Sequence, residues 1–328
     1  MNIASERYFT VGISFNKGSR AGVVARHDNR RQGRNLKAPS WLDVLRDFEL
    51  ELPVFREVSD MSARTQKTST AGTADRRTVE AGLVEHFQRA RGAPDLTVLE
   101  GFHAVKHALR FGAELLEVVV TDPEQALALA SEMAPDLVEI LRLRMRSISA
   151  ESLAPLAPQT PPTGIMATAK RPRIEVTEIL ARPQPAPIVL LENPQRMGNL
   201  GACIRVAAAA EALAVFSTGR NDPWHPDAVR GAAGLHFALP VVHLSQPVVG
   251  DRPLIAIDPG GDELQPERLP PRSILAFGTE RHGLSDALLA SAALRLRIPM
   301  KAGVSSLNLA TSVSAVLYAA RFAAADRL

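Results

Sequence analysis

The stretch that decides the reading is Glu192-Asn-Pro-Gln-Arg196-Met-Gly-Asn199-Leu-Gly201-Ala-Cys-Ile-Arg205-Val-Ala-Ala-Ala-Ala-Glu211. It follows an apolar run, Pro187-Ile-Val-Leu-Leu191, and leads into alanine-rich sequence of helical character. A buried strand, a glycine-containing turn and a helix are therefore expected here. A dinucleotide-binding turn needs three glycines spaced G-x-G-x-x-G and an acidic residue about 20 positions on. This turn has only Gly198 and Gly201, and no lysine follows a glycine as a phosphate-binding loop requires. What remains is a strand end that presents Asn193 and Asn199, with Arg205 one and a half turns into the helix.

Working outward, further apolar runs alternate with helical segments. The strands expected after residue 187 are Ile188–Leu191, Ala214–Thr218, Leu254–Ile257, Ile274–Phe277 and Leu294–Ile298. Continuous rather than alternating hydrophobicity implies strands covered on both faces, hence a parallel sheet. A long helix over Ser306–Ala324 closes the chain. Upstream, residues 92–172 alternate in the same way: a helix Phe102–Phe111, a strand Leu116–Val120, a helix Pro123–Met133 and a closing strand within 164–172. They read as a small α/β unit. Prolines 183, 185 and 187 mark residues 173–187 as a linker, and residues 188–328 form the larger domain.

The chain has 328 residues, enough for two cores. Its single cysteine, Cys203, permits neither an intrachain disulfide nor a cysteine-based metal site, so no metal is expected; Cys203 is expected to pack as a small apolar side chain. No apolar run reaches the roughly 20 residues of a bilayer span, and the N-terminus lacks the pattern of a secretory signal. The expected location is cytoplasmic, without a membrane partner. Net charge is +3, but residues 1–91 carry 16 basic against 11 acidic residues. That segment, with its Arg26–Arg34 and Ser/Thr-rich 61–77 stretches, is expected to be a basic, disordered extension, and Met61 is a candidate alternative start.

Two more loops follow expected strands. Phe277-Gly278-Thr-Glu280-Arg-His-Gly-Leu284 ends one, and Ile298-Pro-Met300 leads through Ser306-Leu307-Asn308 into the last helix. Ligands of parallel sheets collect beyond the carboxyl ends of the strands, so the three loops are expected to face one crevice.

In order and separation, these segments resemble the three motifs of the SpoU (TrmH-type) branch of SPOUT RNA methyltransferases, N-x-G-A-x-x-R, F-G-x-E-x-x-G-L and I-P-M-x-G-x-x-x-S-L-N. The resemblance covers residues 188–324. Residues 95–172 are similar, more loosely, to the ribosomal-protein-like substrate-binding domain that often precedes this catalytic domain, and residues 1–91 match nothing in the family.

The resemblance implies an α/β parallel-sheet domain with a C-terminal trefoil knot, a homodimer, and S-adenosylmethionine held by Gly278, Ile298, Met300 and Leu307. It implies transfer of a methyl group to a ribose 2′-hydroxyl of RNA, ribosomal RNA before tRNA. Arg205 matches the family's essential arginine, proposed to contact the RNA phosphate and assist deprotonation. Because arginine keeps its proton in proteins, positioning is its first expected role. Asn199, Glu280, Ser306 and Asn308 complete the implied catalytic set, although Ser306 and Asn308 are equally placed to cap the last helix. Arg230 falls at the arginine of a further segment, R-A-S-x-G, and is implied to reach RNA or the partner subunit. His225 and His282 match no catalytic position.

Two departures stand out: Glu211 where the family often has glycine, and Ala302 in place of a common glycine in the knot loop. A base-methylating enzyme of the same fold and a non-catalytic RNA-binding protein are the alternative readings.

Overall fold

The computed structural model describes residues 73–279 and 282–325. The readings for residues 1–72, including the alternative start at Met61, and for Glu280 lie outside the described residues.

The small domain starts earlier than the sequence suggests. Helix α1 (Thr73–Gly92) occupies sequence read as extension, and Leu83, Phe87 and Ala90 are buried along its length. Their i, i+4, i+7 spacing makes one narrow apolar stripe on an otherwise polar helix, too weak a pattern to stand out in the sequence. The stripe packs on Leu96, Val98, Leu153 and Met166.

Four strands follow: β1 (Leu96–Glu100), β2 (Leu115–Val120), β3 (Met145–Ser147) and β4 (Ile165–Lys170), arranged in the order β1-β4-β2-β3. The strand β4 runs antiparallel to both β1 and β2. Helices α2 (Phe102–Arg110), α3 (Pro123–Met133), α4 (Val138–Arg144) and a single turn, α5 (Ala150–Leu153), connect them. Helix α3 starts as its sequence prescribes, with Pro123 at the first position and the Asp122 carboxylate accepting from the Gln125 N–H at 3.0 Å.

Residues 173–187 are no slack linker. They contain α6 (Val176–Ala181), which buries Ile179 and Leu180. Arg252, 2% exposed, donates to the carbonyls of Leu180 at 3.0 Å, Arg182 at 2.7 Å and Ala186 at 3.1 Å. A buried guanidinium is tolerable only with such a set of acceptors.

The larger domain holds six parallel strands in the order β10-β8-β9-β5-β6-β7. These are β5 (Ile188–Leu191), β6 (Ala214–Ser217), β7 (Val241–His243), β8 (Leu254–Glu263), β9 (Ile274–Phe277) and β10 (Leu294–Arg297). Helices α7 (Met197–Ala209), α8 (Pro226–Gly231), α9 (Asp286–Ser291) and α10 (Leu309–Ala325) complete the domain. Strands β5, β6 and β9 are buried throughout, as continuous apolar runs require. Strand β10 is not: it lies at the sheet edge, and its alternating Leu-Arg-Leu-Arg pattern leaves it largely exposed. Strand β8 also runs on past its apolar segment. Its register to β10 jumps between Arg295 and Leu296, which bulges Ile257–Gly261 out of the ladder.

Several contacts join the two α/β units. Side-chain Nδ1 of His107 on α2 meets the Ala233 carbonyl at 2.7 Å, and Thr97 Oγ1 donates to the Trp224 carbonyl at 3.2 Å. Arg171 pairs with Asp222 at 2.7 Å. The Glu100 carboxylate, whose side chain is 2% exposed, is shared between Arg91 at 2.7 Å and Arg230 at 2.5 Å.

Candidate functional site

The bulge of β8 and the loops after β9 and β10 enclose a cavity of about 350 Å³, within the size range of small-molecule sites. Its floor is apolar, formed by Ile257, Phe277, Ile298 and Leu309, while Asp258, Thr279, Ser305, Ser306 and Ser312 bring polar groups to it. Gly278, Ile298, Met300 and Leu307, the residues expected to meet a cofactor, all line it, as does Ser306.

Local sequence explains this wall. At Gly278 the chain leaves β9 and folds back, with Thr279 and Gly283 exchanging two backbone hydrogen bonds at 3.1 Å. A Cβ on Gly278 would collide with the backbone of Gly283 and Leu284, so only glycine closes this turn. In the last loop the left-handed backbone falls on Gly303, at φ 89°, so Ala302 needs no glycine-like freedom. Asp258 was not singled out from the sequence. Its carboxylate accepts from Arg295 at 2.7 Å and from the Gly260 N–H at 3.0 Å, which fixes the β8 bulge beside the cavity. The Asp-Pro-Gly-Gly turn at 258–261 was its only signal.

Asn199 and Asn308 meet. The side-chain amide of Asn308 donates to Asn199 Oδ1 at 3.2 Å. Asn308 is also the cap of α10, since its Oδ1 accepts from the N–H groups of Ala310 at 2.9 Å and Thr311 at 3.4 Å. The capping reading therefore applies to Asn308 together with its contact to Asn199.

Arg205 is exposed on α7. It faces the small domain closely enough to act on two groups of α2. The pKa of His103 is lowered by burial first, then by Lys106 and Arg205. That of Lys106 is lowered by burial, then by Arg110 and Arg205. Arg205, Lys106 and His103 thus share one surface where the two domains join.

Arg230, expected to reach RNA or a partner subunit, is about half exposed, and its guanidinium bridges the buried Glu100 and, at 2.6 Å, Asp227. His225 caps α8, with Nδ1 accepting from the Asp227 N–H at 3.2 Å. His282 is exposed, and its N–H donates to Thr279 Oγ1 at 3.0 Å. Cys203 is buried in the core, as expected. Among the described residues no cluster of histidine, cysteine or acidic side chains could hold a metal, and no helix is long and apolar enough to cross a membrane.

Residues 186–318 match the model of the SpoU rRNA Methylase family. An uncharacterized tRNA/rRNA methyltransferase of Synechocystis is 31% identical over 252 residues, covering 72% of this chain and 87% of that protein. The 23S rRNA (guanosine(2553)-2′-O)-methyltransferase RlmP of Bacillus subtilis is 28% identical over 241 residues, 71% of this chain and 91% of the relative. Among solved structures, the SpoU methyltransferase AviRb from Streptomyces viridochromogenes in complex with AdoMet superimposes with a TM-score of 0.59 at 22% identity, covering 73% of this chain and 97% of AviRb.

Proposed function

The chain belongs to the SpoU rRNA methylase family, and from that premise we propose that it transfers a methyl group from S-adenosylmethionine to a ribose 2′-hydroxyl of ribosomal RNA. The observation that carries this reading is the hydrogen bond from Asn308 to Asn199, which brings the first and third motifs together beside the cavity.

The cavity's chemistry suits the cofactor. An apolar floor of Ile257, Phe277 and Ile298 suits a flat heterocycle, while the Asp258 carboxylate and the hydroxyls of Ser305 and Ser306 suit ribose and amino-acid groups. When bound, the cofactor supplies a methyl group already activated on a sulfonium. The chain's task is then to position the acceptor oxygen and favour loss of its proton. Arg205 binds the phosphate next to the acceptor ribose, and its fixed positive charge favours the anionic form of the 2′-oxygen. Asn199, oriented by Asn308, holds the ribose edge. Glu280, by its place in the second motif, completes the set. Lys106 extends the cationic surface from Arg205 onto the small domain, in keeping with an RNA strand that crosses both domains.

Ribosomal RNA is preferred over tRNA because the relative RlmP is named for 23S rRNA. The proposal includes a trefoil knot formed by the segment after β10, a homodimer and a cytoplasmic setting. Val304 and Leu307, exposed at 49% and 38% in the loop after β10, favour a second copy covering this end of the sheet.

The test is transfer of label from S-adenosylmethionine to ribosomal RNA and, separately, to tRNA, followed by nucleoside analysis. Label in a 2′-O-methylnucleoside from ribosomal RNA is the expected result. Label on a base, or none in either pool, contradicts the proposal.

A further inference from the structure

Beside the cofactor cavity, and sharing Thr279 and Gly283 with it, lies a second, open hollow of about 690 Å³. Two exposed arginines, Arg196 and Arg220, border it. Neither has an ion pair or hydrogen bond from its side chain among the described residues, whereas Arg230, Arg171 and Arg295 are each committed to a carboxylate. Glu192 is the only acidic residue among the described lining, and its carboxylate is already committed. It accepts from the Ser285 N–H at 2.7 Å and from the Ser285 hydroxyl at 2.6 Å. Among the described lining, the two arginines are thus uncompensated, and the one negative charge is turned to holding a loop.

The two arginines come from different loops that are fastened together. The Asn221 side chain donates to the Pro194 carbonyl at 2.8 Å and to that of Gln195 at 3.2 Å. The Asn193 N–H donates to Thr218 Oγ1 at 3.2 Å, and the Gln195 amide donates back to the Asn193 carbonyl at 2.9 Å. The Asn221 and Asn193 bonds tie the loop after β5 to the loop after β6, and the Gln195 bond braces the first loop internally. They hold in place the backbone that carries Arg196 and Arg220.

We propose that this hollow is a phosphodiester-binding subsite, in which Arg196 and Arg220 grip the substrate RNA backbone one or a few nucleotides from the acceptor ribose. The inference rests on the RNA methyltransferase reading and adds a second grip to that of Arg205. Guanidinium groups suit it, because each presents paired donors to phosphate oxygens. The subsite is independent of base identity, as backbone contacts are.

The experiment uses the full chain and ribosomal RNA stripped of its proteins. RNA affinity is measured over a salt series for wild type, for Arg196→Ala with Arg220→Ala, and for the corresponding double lysine variant. Cofactor affinity is measured by calorimetry on all three. Both side chains are exposed and have no partner among the described residues, so folding is expected to survive, and thermal melts verify it. The double alanine variant is expected to bind RNA roughly tenfold or more weakly. Its plot of log affinity against log salt should be shallower by about 0.7 per lost contact. The lysine pair should keep the slope, and cofactor affinity should be unchanged. An unaltered slope and affinity in the alanine pair, or a loss confined to cofactor binding, overturns the subsite. Methyl transfer by wild type, run on the same RNA, reports on the parent reading separately. Wild type that binds but does not methylate sinks the methyltransferase proposal, while the slopes still decide the subsite.

Discussion

Asn308 holds two structures at once: one end of its side-chain amide caps helix α10 through the Ala310 and Thr311 N–H groups, and the other donates to Asn199 on helix α7. A capping residue needs only an acceptor; the donor half is left for the site. The two roles separate by substitution. Asn308→Ala loses both, and is expected to lower stability by about 1 kcal/mol and methyl transfer by tenfold or more. Asn308→Asp keeps the cap and the thermal midpoint but offers Asn199 no N–H donor, so transfer should fall without a loss of stability. Equal activity in Asn308→Asp and wild type, measured at saturating cofactor, would remove Asn308 from the site.

Glu100 is the strut between the domains. Its side chain is 2% exposed and carries two guanidinium groups on its carboxylate; removing it leaves Arg91 with only the Leu156 carbonyl and Arg230 with only Asp227. Glu100→Ala is expected to cost about 3 kcal/mol or more in urea unfolding. Replacing Arg230, which is about half exposed, should cost much less. Equal losses at the two positions would argue against a buried anchor.

His236 predicts an acid-limb signature. It is fully buried against Trp224, at 4.9 Å between rings, with Nε2 at 2.7 Å from the Pro223 carbonyl. Burial pushes its pKa down to about 4 from 6.5. A group held neutral in this way contributes fully above pH 6.5, where neither state is protonated. As pH falls from 6.5 towards 4 the unfolded chain takes up a proton that the folded one refuses, so stability is lost, on the order of 3 kcal/mol by the lower limit. His236→Phe should flatten the stability profile between those pH values. A profile as steep as that of wild type would assign the acid sensitivity elsewhere.

Glu211 explains its own departure from the family pattern. Its backbone is left-handed, at φ 59°, just past the Ala210 cap of α7, the position where helices most often end on glycine. Its carboxylate, held below the usual range by the Arg321 guanidinium, is an exposed surface pair that contributes little. Glu211→Gly is therefore expected to raise the thermal midpoint and Glu211→Val to lower it. A fall on introducing glycine would mean the ion pair outweighs the backbone strain.

How much of this was legible in the sequence depends on whether the signal is local. Strands β5 and β9 appear at the residues their apolar runs mark, and α3 begins and ends as its Asp122, Pro123 and Met133 suggest. The cavity residues Gly278, Ile298, Met300 and Leu307 follow from the strand-end rule together with the family resemblance. Three features were hidden because they depend on partners distant in sequence. Helix α1 is identified by what its three buried side chains pack on. Arg230 finds Glu100 across 130 residues. Asp258 sits in a bulge created by pairing of β8 with the later strand β10. The short strand β7 carries only three residues, too few for any period to register.

The central claim is that this surface methylates a ribose and that Arg205 positions the RNA for it. The most direct measurement is the initial rate of methyl transfer to ribosomal RNA by wild type and Arg205→Ala at saturating cofactor, read as alkali-resistant 2′-O-methylated dinucleotide. Wild type should form that product, and Arg205→Ala should form it at least a hundredfold more slowly. A variant with an undiminished rate, or wild type that labels only bases, would contradict the account.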